Sequence, residues 1–168
     1  FVKSLHPEFE NYASVYEDAG LLGKQPTIMA HCVLLEDEEI EIKKANFEQV
    51  SNEVNLVLAD TYPIENQQLP SIKRRLSTIT INRVRPDVSR YYSPQFIAKI
   101  VDEVRNLPRN VTDVNVFPTT NPKHALKIAR DVFKLAERGN IEKLVVFPQD
   151  NKGIRKFAKK GEIIYKNK

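Results

Sequence analysis

The sequence contains one cysteine, three histidines and five glycines among 168 residues, and each scarcity limits what the protein can be. The single Cys32 cannot form a disulfide within the chain, which favours an intracellular protein, and the cytoplasm in preference to other compartments. No uninterrupted apolar run approaches 18 residues, so we expect no membrane-spanning helix. The glycines form no nucleotide-binding fingerprint, and no serine lies in a nucleophile-elbow sequence.

The N-terminus also lacks the features of a targeting segment. A secretory signal peptide begins with a basic region and continues into an apolar stretch, and Phe1-Val-Lys-Ser-Leu-His-Pro has neither. The first residue is not methionine, so we expect a processed or excised piece of a longer chain, with a fusion or a chimera left open as alternatives.

Charge is distributed unevenly along the chain. Residues 1–50 carry four lysines against ten carboxylates, whereas residues 51–168 carry the other 22 basic residues against 12 carboxylates. This change predicts two parts, an acidic segment at 1–50 and a basic α/β domain at 51–168. The basic part is suited to RNA or another polyanion. The alternative is an ordinary solvated surface of lysine and arginine.

Short apolar runs alternate with amphipathic stretches, which is typical of an α/β fold with a mixed or parallel sheet and flanking helices. Ser93-Pro94 and Asn121-Pro122 each combine an N-cap with a proline at the first helical position. Two similar runs, 114–118 and 144–148, enclose one helix and predict parallel pairing. The predicted strands are 27–31, 55–59, 77–84, 114–118, 144–148 and 162–165, and the predicted helices are 1–22, 36–44, 93–108 and 121–139.

The first 45 residues resemble guanine deaminases of the metal-dependent amidohydrolase superfamily. The resemblance rests on Phe1-Val-Lys-Ser-Leu-His-Pro7, Asn11-Tyr-Ala-Ser-Val-Tyr-Glu-Asp-Ala-Gly-Leu-Leu22, Thr27-Ile-Met-Ala-His-Cys32 and Asp37-Glu-Glu-Ile-Glu41. It implies that the segment is a βα part of a (β/α)8 barrel and that His31 ligates zinc. Zinc in such a site supplies a bound hydroxide that attacks the purine carbon bearing the amino group.

The rest of a zinc site is missing from the sequence. The chain has only His6, His31 and His124, with no His-x-His pair, whereas catalytic zinc generally needs about three protein ligands. We therefore expect a guanine deaminase-like segment that is not catalytic as this chain alone. Whether the chain is an enzyme stays open, and the alternative is a basic binding module that contacts RNA or a ribonucleoprotein.

A cluster of cations beside two tyrosines is the strongest signal for nucleic-acid binding. Arginine and lysine attract phosphates, and tyrosine rings can stack on bases. The same composition also protects an ordinary exposed edge strand from unwanted pairing. A protein partner or a homo-oligomer is a further open possibility. The predicted nucleic-acid-binding residues are Lys73, Arg74, Arg75, Arg83, Arg85, Arg90, Tyr91 and Tyr92.

The loops that follow the two parallel strands are expected at one edge of the sheet. Ligands of open α/β sheets bind outside the carboxyl ends of the strands. Thr119, Thr120 and the start of the next helix could therefore receive a phosphate. The alternative is that these loops, like the residues 149–153, are simple turns and caps, and that His124 is structural.

Overall fold

The computed structural model describes residues 38–84, 92–133, 140–150 and 153–166. All of these belong to one compact unit, Leu35–Lys168. The predicted helix at 1–22, the predicted strand at 27–31 and His31 lie outside the described residues. The predicted division into residues 1–50 and 51–168 stays a prediction.

The fold is α/β, as predicted, and is built on a mixed sheet of six strands in the order β1-β3-β2-β4-β5-β6. The four central strands are mutually parallel, and the two edge strands, β1 and β6, run antiparallel to their neighbours. The parallel pairing of β4 with β5 confirms the predicted βαβ unit. The strands are β1 (Ile40–Ala45), β2 (Glu53–Ala59), β3 (Ser77–Arg83), β4 (Asp113–Pro118), β5 (Lys143–Val146) and β6 (Glu162–Lys166).

Two helices cover one face of the sheet. Helix α1 (Pro94–Arg105) connects β3 to β4, and helix α2 (Pro122–Lys127) continues as a π-helix, Ile128–Phe133, before β5. Both begin at the predicted Ser-Pro and Asn-Pro signals. Their apolar sides pack on the strands because burying that surface is the main stabilising contribution to such a layer. The buried helical residues are Phe96, Ile97, Ile100, Val104, Ile128, Val132 and Phe133.

On the opposite face the described residues form a smaller core without an α-helix. The connection from β2 to β3 contains only a short 3-10 helix, Asn66–Gln68, and packs Leu69 against the sheet. The ring of Phe117 stacks on Phe147 at a centroid distance of 4.6 Å and meets Phe157 edge-on at 5.2 Å. Among the described residues the two faces therefore differ in what covers them, because α-helices pack on the first face and not on the second.

The predicted helix at residues 36–44 is wrong, because this part of the chain forms β1 (Ile40–Ala45). Ile40 and Ile42 alternate with Glu41 and Lys43, and this period of two matches a strand whose apolar face is turned toward a core. Both isoleucines pack on the main core below α1. The distribution of charge, acidic first and basic last, indicated a helix dipole, but tertiary pairing with β3 outweighs that weak local preference.

In the predicted helix at 121–139 the residues expected to face the core are Ala125, Ala129, Val132, Phe133 and Ala136. Val132 and Phe133 are buried as predicted, but Ala125 and Ala129 are exposed, and His124 and Ile128 are buried in their place. Ala136 lies outside the described residues. His124, Ile128 and Val132 recur every four residues, and this spacing places them on one side of a helix that widens into a π-turn. The residue buried deepest in this helix is therefore a histidine.

Candidate functional site at the carboxyl ends of the parallel strands

Strand β2 has β3 on one side and β4 on the other. The chain therefore adds β3 on one side of β2 and then crosses over to add β4 and β5 on the other side. In open α/β sheets such a point opens a crevice at the carboxyl ends of the two strands between which the chain changes direction. Asp60 directly follows β2, Arg83 ends β3 and Thr119 directly follows β4. The fold therefore brings three residues that are far apart in sequence to one edge of the sheet.

Asp60 is the centre of this edge. Its Oδ1 accepts a hydrogen bond from Arg83 Nη1 at 2.6 Å, and its Oδ2 accepts from His124 Nδ1 at 2.7 Å and from the backbone N–H of Asn121 at 2.8 Å. The residue is 1% exposed. A buried carboxylate needs such partners because water no longer solvates its charge.

Arg83 extends the contacts to the edge strand. Its Nε donates to Glu38 Oε1 at 2.6 Å, and the side chains of Arg83 and Glu38 are 0% and 1% exposed. The backbone N–H of Glu38 donates to Gln95 Oε1 in the first turn of α1. We call Glu38, Arg83, Asp60 and His124 the carboxyl-edge network. Removing one member of a buried ion pair is strongly destabilising, since the partner's charge is left without compensation.

His124 links this network to both helices. The backbone N–H of Ser93 donates a hydrogen bond to His124 Nε2 at 2.9 Å. Nε2 is therefore the unprotonated ring nitrogen, and the N–H at Nδ1 donates a hydrogen bond to Asp60. Ser93 is the N-cap of α1, where its Oγ accepts from Phe96 N–H at 3.1 Å. Asn121 is the N-cap of α2, where its Oδ1 accepts from the N–H of His124 itself at 2.9 Å. Asp60 is thereby connected to the first turn of α1 and of α2.

The two loops at the crevice are hydrogen-bonded to each other. The backbone N–H of Thr61 donates to Thr119 O at 3.1 Å, and the hydroxyl of Thr61 donates to the same oxygen. The hydroxyl of Thr119 donates to Tyr62 O at 3.0 Å. That hydroxyl is thus engaged within the protein, and phosphate binding at Thr119 and Thr120 stays a prediction.

Two cation–aromatic pairs lie in these loops and next to them. Arg155 lies over the ring of Tyr62, with its Cζ 4.4 Å from the centroid. Lys123 lies over the ring of Tyr92, with its Nζ 4.5 Å from the centroid. Tyr92 in turn packs on His124 at a centroid distance of 5.3 Å. Positive charge and aromatic surface therefore adjoin the carboxyl-edge network.

The structure describes five of the eight predicted nucleic-acid-binding residues, and these five lie in different environments. Arg83 is buried and its guanidinium is held between two carboxylates, which corrects its assignment to a surface of cations. Tyr92 is half-buried beside His124. Arg85, Arg90 and Tyr91 lie outside the described residues, and nucleic-acid binding by this group stays a prediction.

The other three predicted cations lie in the connection just before β3. Lys73 forms an ion pair with Glu53, Arg74 donates to the carbonyl oxygens of Leu69 and Gln67, and Arg75 is exposed. Partial burial by itself raises the pKa of Glu53. The hydrogen bonds from Lys73 and Asn115 and the nearby positive charges outweigh burial and hold that pKa below its ordinary value.

A zinc site is not formed within the described residues. The ranges 38–84, 92–133, 140–150 and 153–166 contain no group of three histidine, cysteine, aspartate or glutamate side chains that could hold a metal ion. Zinc binding at His31 stays a prediction.

Asp60 and His124 are functional candidates that the sequence analysis does not predict. From the sequence, Asp60 only follows the predicted strand 55–59, and His124 is structural. An aspartate directly after a buried strand, together with a histidine in the first helical turn after the neighbouring strand, predicts a contact between the two side chains. Both positions lie at the carboxyl ends of parallel strands, where such side chains can meet.

Comparison with known proteins gives one matching family model and one similar protein of a different kind. A family model described as the SMODS- and Ubiquitin system-associated 2TM effector domain matches residues 33–164. A guanine deaminase from Dictyostelium discoideum is 33% identical over 109 residues, which are 62% of this chain and 22% of the enzyme. The chain thus spans about a fifth of that enzyme's length, and the similarity extends beyond residues 1–45. No helix among the described residues is long and apolar enough to cross a membrane.

Proposed function

The chain belongs to the SMODS- and Ubiquitin system-associated 2TM effector domain family, and we propose that it acts as an effector domain in a system with a SMODS component. The matched residues include every member of the carboxyl-edge network. The observation that carries the proposal is the position of Asp60, which contacts β3, the loop after β4 and the first turn of α2.

An effector must convert a contact at one surface into a change elsewhere. A partner that touches Thr61 or Tyr62 acts on the loop that holds Asp60, and Asp60 acts through His124 on Ser93 at the start of α1. The loop is joined to Asp60 through the chain itself, and the steps from Asp60 to His124 and from His124 to Ser93 are hydrogen bonds between buried groups. Because a broken contact leaves a buried charge unpaired, the network favours discrete arrangements over gradual distortion.

The experiment measures the growth of cells that produce the chain with or without the SMODS protein of its own system. We expect a growth effect only when both proteins are present, and we expect Asp60→Asn to abolish it. Asp113→Asn is the matched control, because the same change is made at the opposite end of the parallel strands, in a partly exposed ion pair with Lys143.

Thr61→Val provides a milder change in case Asp60→Asn reduces folding. It preserves the shape of the side chain and removes only the hydroxyl that donates to Thr119 O. We expect a weakened growth effect with an unchanged circular dichroism spectrum. A full effect in folded Asp60→Asn and in Thr61→Val, or no dependence on the SMODS protein, contradicts the proposal.

A second candidate is guanine deamination, which the 33% identity to the Dictyostelium enzyme favours. Under this candidate His31 is one zinc ligand, and about two further protein ligands complete the site. Zinc content and guanine consumption are measured on the full chain, on His31→Ala and on His6→Ala as the matched histidine control. Stoichiometric zinc and guanine turnover that are lost only in His31→Ala support this candidate, and protein without zinc or turnover rejects it.

A further inference from the structure

A polar cleft opens on the second face of the sheet, beside β1 and β3. Its volume is about 270 Å³, and it lies between the strands and the β2–β3 connection. No α-helix of the described residues covers this part of the sheet. We call it the β1–β3 cleft, and its lining residues are Ala45, Asn46, Val57, Ile64, Asn66, Leu69, Arg74, Thr78 and Thr80.

The charges of the cleft favour an anion. Among the nine described residues of the lining, Arg74 is the one that carries a charge, and none of the nine is a carboxylate. Lys43 is the cross-strand neighbour of Thr80, so its side chain is directed to the same face of the sheet. Its ammonium also contacts Glu41 at 3.0 Å on the exposed surface. Arginine has the fork of donors that suits phosphate and carboxylate groups.

Arg74 is held in place before any ligand arrives. Its Nε donates to Leu69 O at 2.9 Å and its Nη2 donates to Gln67 O at 2.8 Å. Its remaining nitrogen, Nη1, makes no hydrogen bond with the described residues. A guanidinium fixed in this way loses little conformational entropy on binding, which favours affinity.

The two threonines that line the cleft, Thr78 and Thr80, differ in the hydrogen bonds that their hydroxyl groups make. The hydroxyl of Thr78 donates to Leu76 O at 2.9 Å and accepts from Asn55 Nδ2 at 3.0 Å. The hydroxyl of Thr80 makes no hydrogen bond within the described ranges. Thr80 and Arg74 therefore provide donors that no described residue uses.

One end of the cleft is shaped by Asn46. Its backbone is in the left-handed region at φ 59°, which asparagine tolerates better than most residues. Its carbonyl oxygen accepts from Ser77 Oγ at 2.6 Å, and its Nδ2 donates to Leu76 O at 3.4 Å. These contacts fix the turn after β1 and with it the rim of the cleft.

The apolar part of the lining and the volume set the size of the ligand. Val57, Ile64 and Leu69 offer an apolar surface opposite the polar rim. A volume of about 270 Å³ is near the lower end of the ~300–1,000 Å³ that small-molecule sites occupy. We propose that the β1–β3 cleft binds a small organic anion, whose phosphate or carboxylate group contacts Arg74 and Thr80 and whose apolar portion packs on Ile64 and Leu69.

The test titrates the full chain with phenyl phosphate, benzoate, inorganic phosphate and phenol, and follows binding by amide NMR shifts and calorimetry. The first two probes distinguish a phosphate from a carboxylate, and the last two isolate the anionic and the apolar part. We expect one of the first two to bind more tightly than either isolated part, with shifts at 45–46, 64–69 and 78–80. No binding by phenyl phosphate or benzoate overturns the proposal.

Three variants connect that binding to the cleft. Arg74→Gln removes a charged donor, and we expect affinity to fall about tenfold or more. Arg75→Gln is the matched control, since it removes the same charge from the neighbouring exposed residue, and its affinity is expected within about twofold of the wild type. Thr80→Val removes a hydroxyl without changing shape and is expected to weaken binding even if Arg74→Gln folds poorly.

The opposite results reject the cleft as the site. Equal losses in Arg74→Gln and Arg75→Gln indicate general attraction by surface charge. Unchanged affinity in Thr80→Val together with unchanged affinity in Arg74→Gln places the ligand elsewhere. Binding of a single-stranded RNA oligonucleotide without binding of phenyl phosphate or benzoate indicates a polymer surface in place of a small-molecule site. None of these results depends on Asp60, so they are independent of the effector proposal.

Discussion

The Nδ1 atom of His124 lies 2.7 Å from Oδ2 of Asp60, and both side chains are fully buried although 64 positions separate them in the sequence. This contact joins the end of β2 to the first turn of α2. The same histidine accepts from the backbone of Ser93 at the start of α1. A single imidazole thus connects the carboxyl edge of the sheet with both helices.

The first prediction concerns the stability contributed by Arg83. Replacing Arg83 with methionine leaves Glu38 and Asp60 as buried carboxylates without their cation, so we expect the free energy of unfolding to fall by about 3–5 kcal/mol. Arg75→Met, at an exposed position, is expected to change it by less than about 0.5 kcal/mol. Urea unfolding measures both, and similar effects at the two positions contradict the burial of Arg83.

The second prediction concerns the coupling between Asp60 and His124. In a double-mutant cycle with Asp60→Asn and His124→Leu, we expect a coupling energy of at least about 1 kcal/mol, because the two side chains are in direct contact. The control cycle pairs His124→Leu with Asp113→Asn, at the other end of the strands, and its coupling is expected within about 0.5 kcal/mol of zero. Equal coupling in the two cycles refutes the direct contact.

The third prediction concerns the response of stability to pH at Glu53. The pKa of this carboxyl is lower in the folded protein than its ordinary value of 4.5, chiefly through Lys73 and Asn115 acting against partial burial. The carboxylate therefore contributes stability that is fully present above the ordinary pKa and is lost as the pH falls through the folded pKa.

Measuring the unfolding free energy from pH 6 downward, at about half-unit steps, tests this prediction. We expect the wild type to lose more stability below the ordinary value of 4.5 than Glu53→Gln does, since glutamine does not titrate. Glu65→Gln, at an exposed position, serves as the control for removing one carboxylate. Parallel pH curves for the wild type and Glu53→Gln contradict the lowered pKa.

The central strands and the starts of the helices can be predicted from the sequence because the local sequence pattern there favours the same structure as the packing in the fold. The run 55–59 has four apolar residues after Asn55, and it forms the middle of the sheet. Ser93 and Asn121 cap helices in the structure as their pairing with proline predicts. At such positions the local sequence preference and the contacts of the folded protein favour the same conformation.

Arg83 shows why the candidate site was only partly accessible. Composition grouped it with other cations, but the burial of β3 alternates strictly, and Arg83 shares its face with Ile79 and Ile81. The period of two in the strand therefore indicates an arginine directed toward the core side. Its partners, Glu38 and Asp60, are distant in sequence, and only the order of the strands brings them together.

Hydrogen exchange at the helix starts tests the central claim, that the carboxyl-edge network transmits a contact to α1 and α2. Exchange is measured by mass spectrometry on the full chain isolated from cells with and without the SMODS protein, for the wild type and for Asp60→Asn. We predict that the SMODS protein changes the exchange of peptides covering Ser93–Phe96 and Asn121–Ala125 in the wild type but not in Asp60→Asn. The same change in both proteins, or no change in the wild type, contradicts the claim.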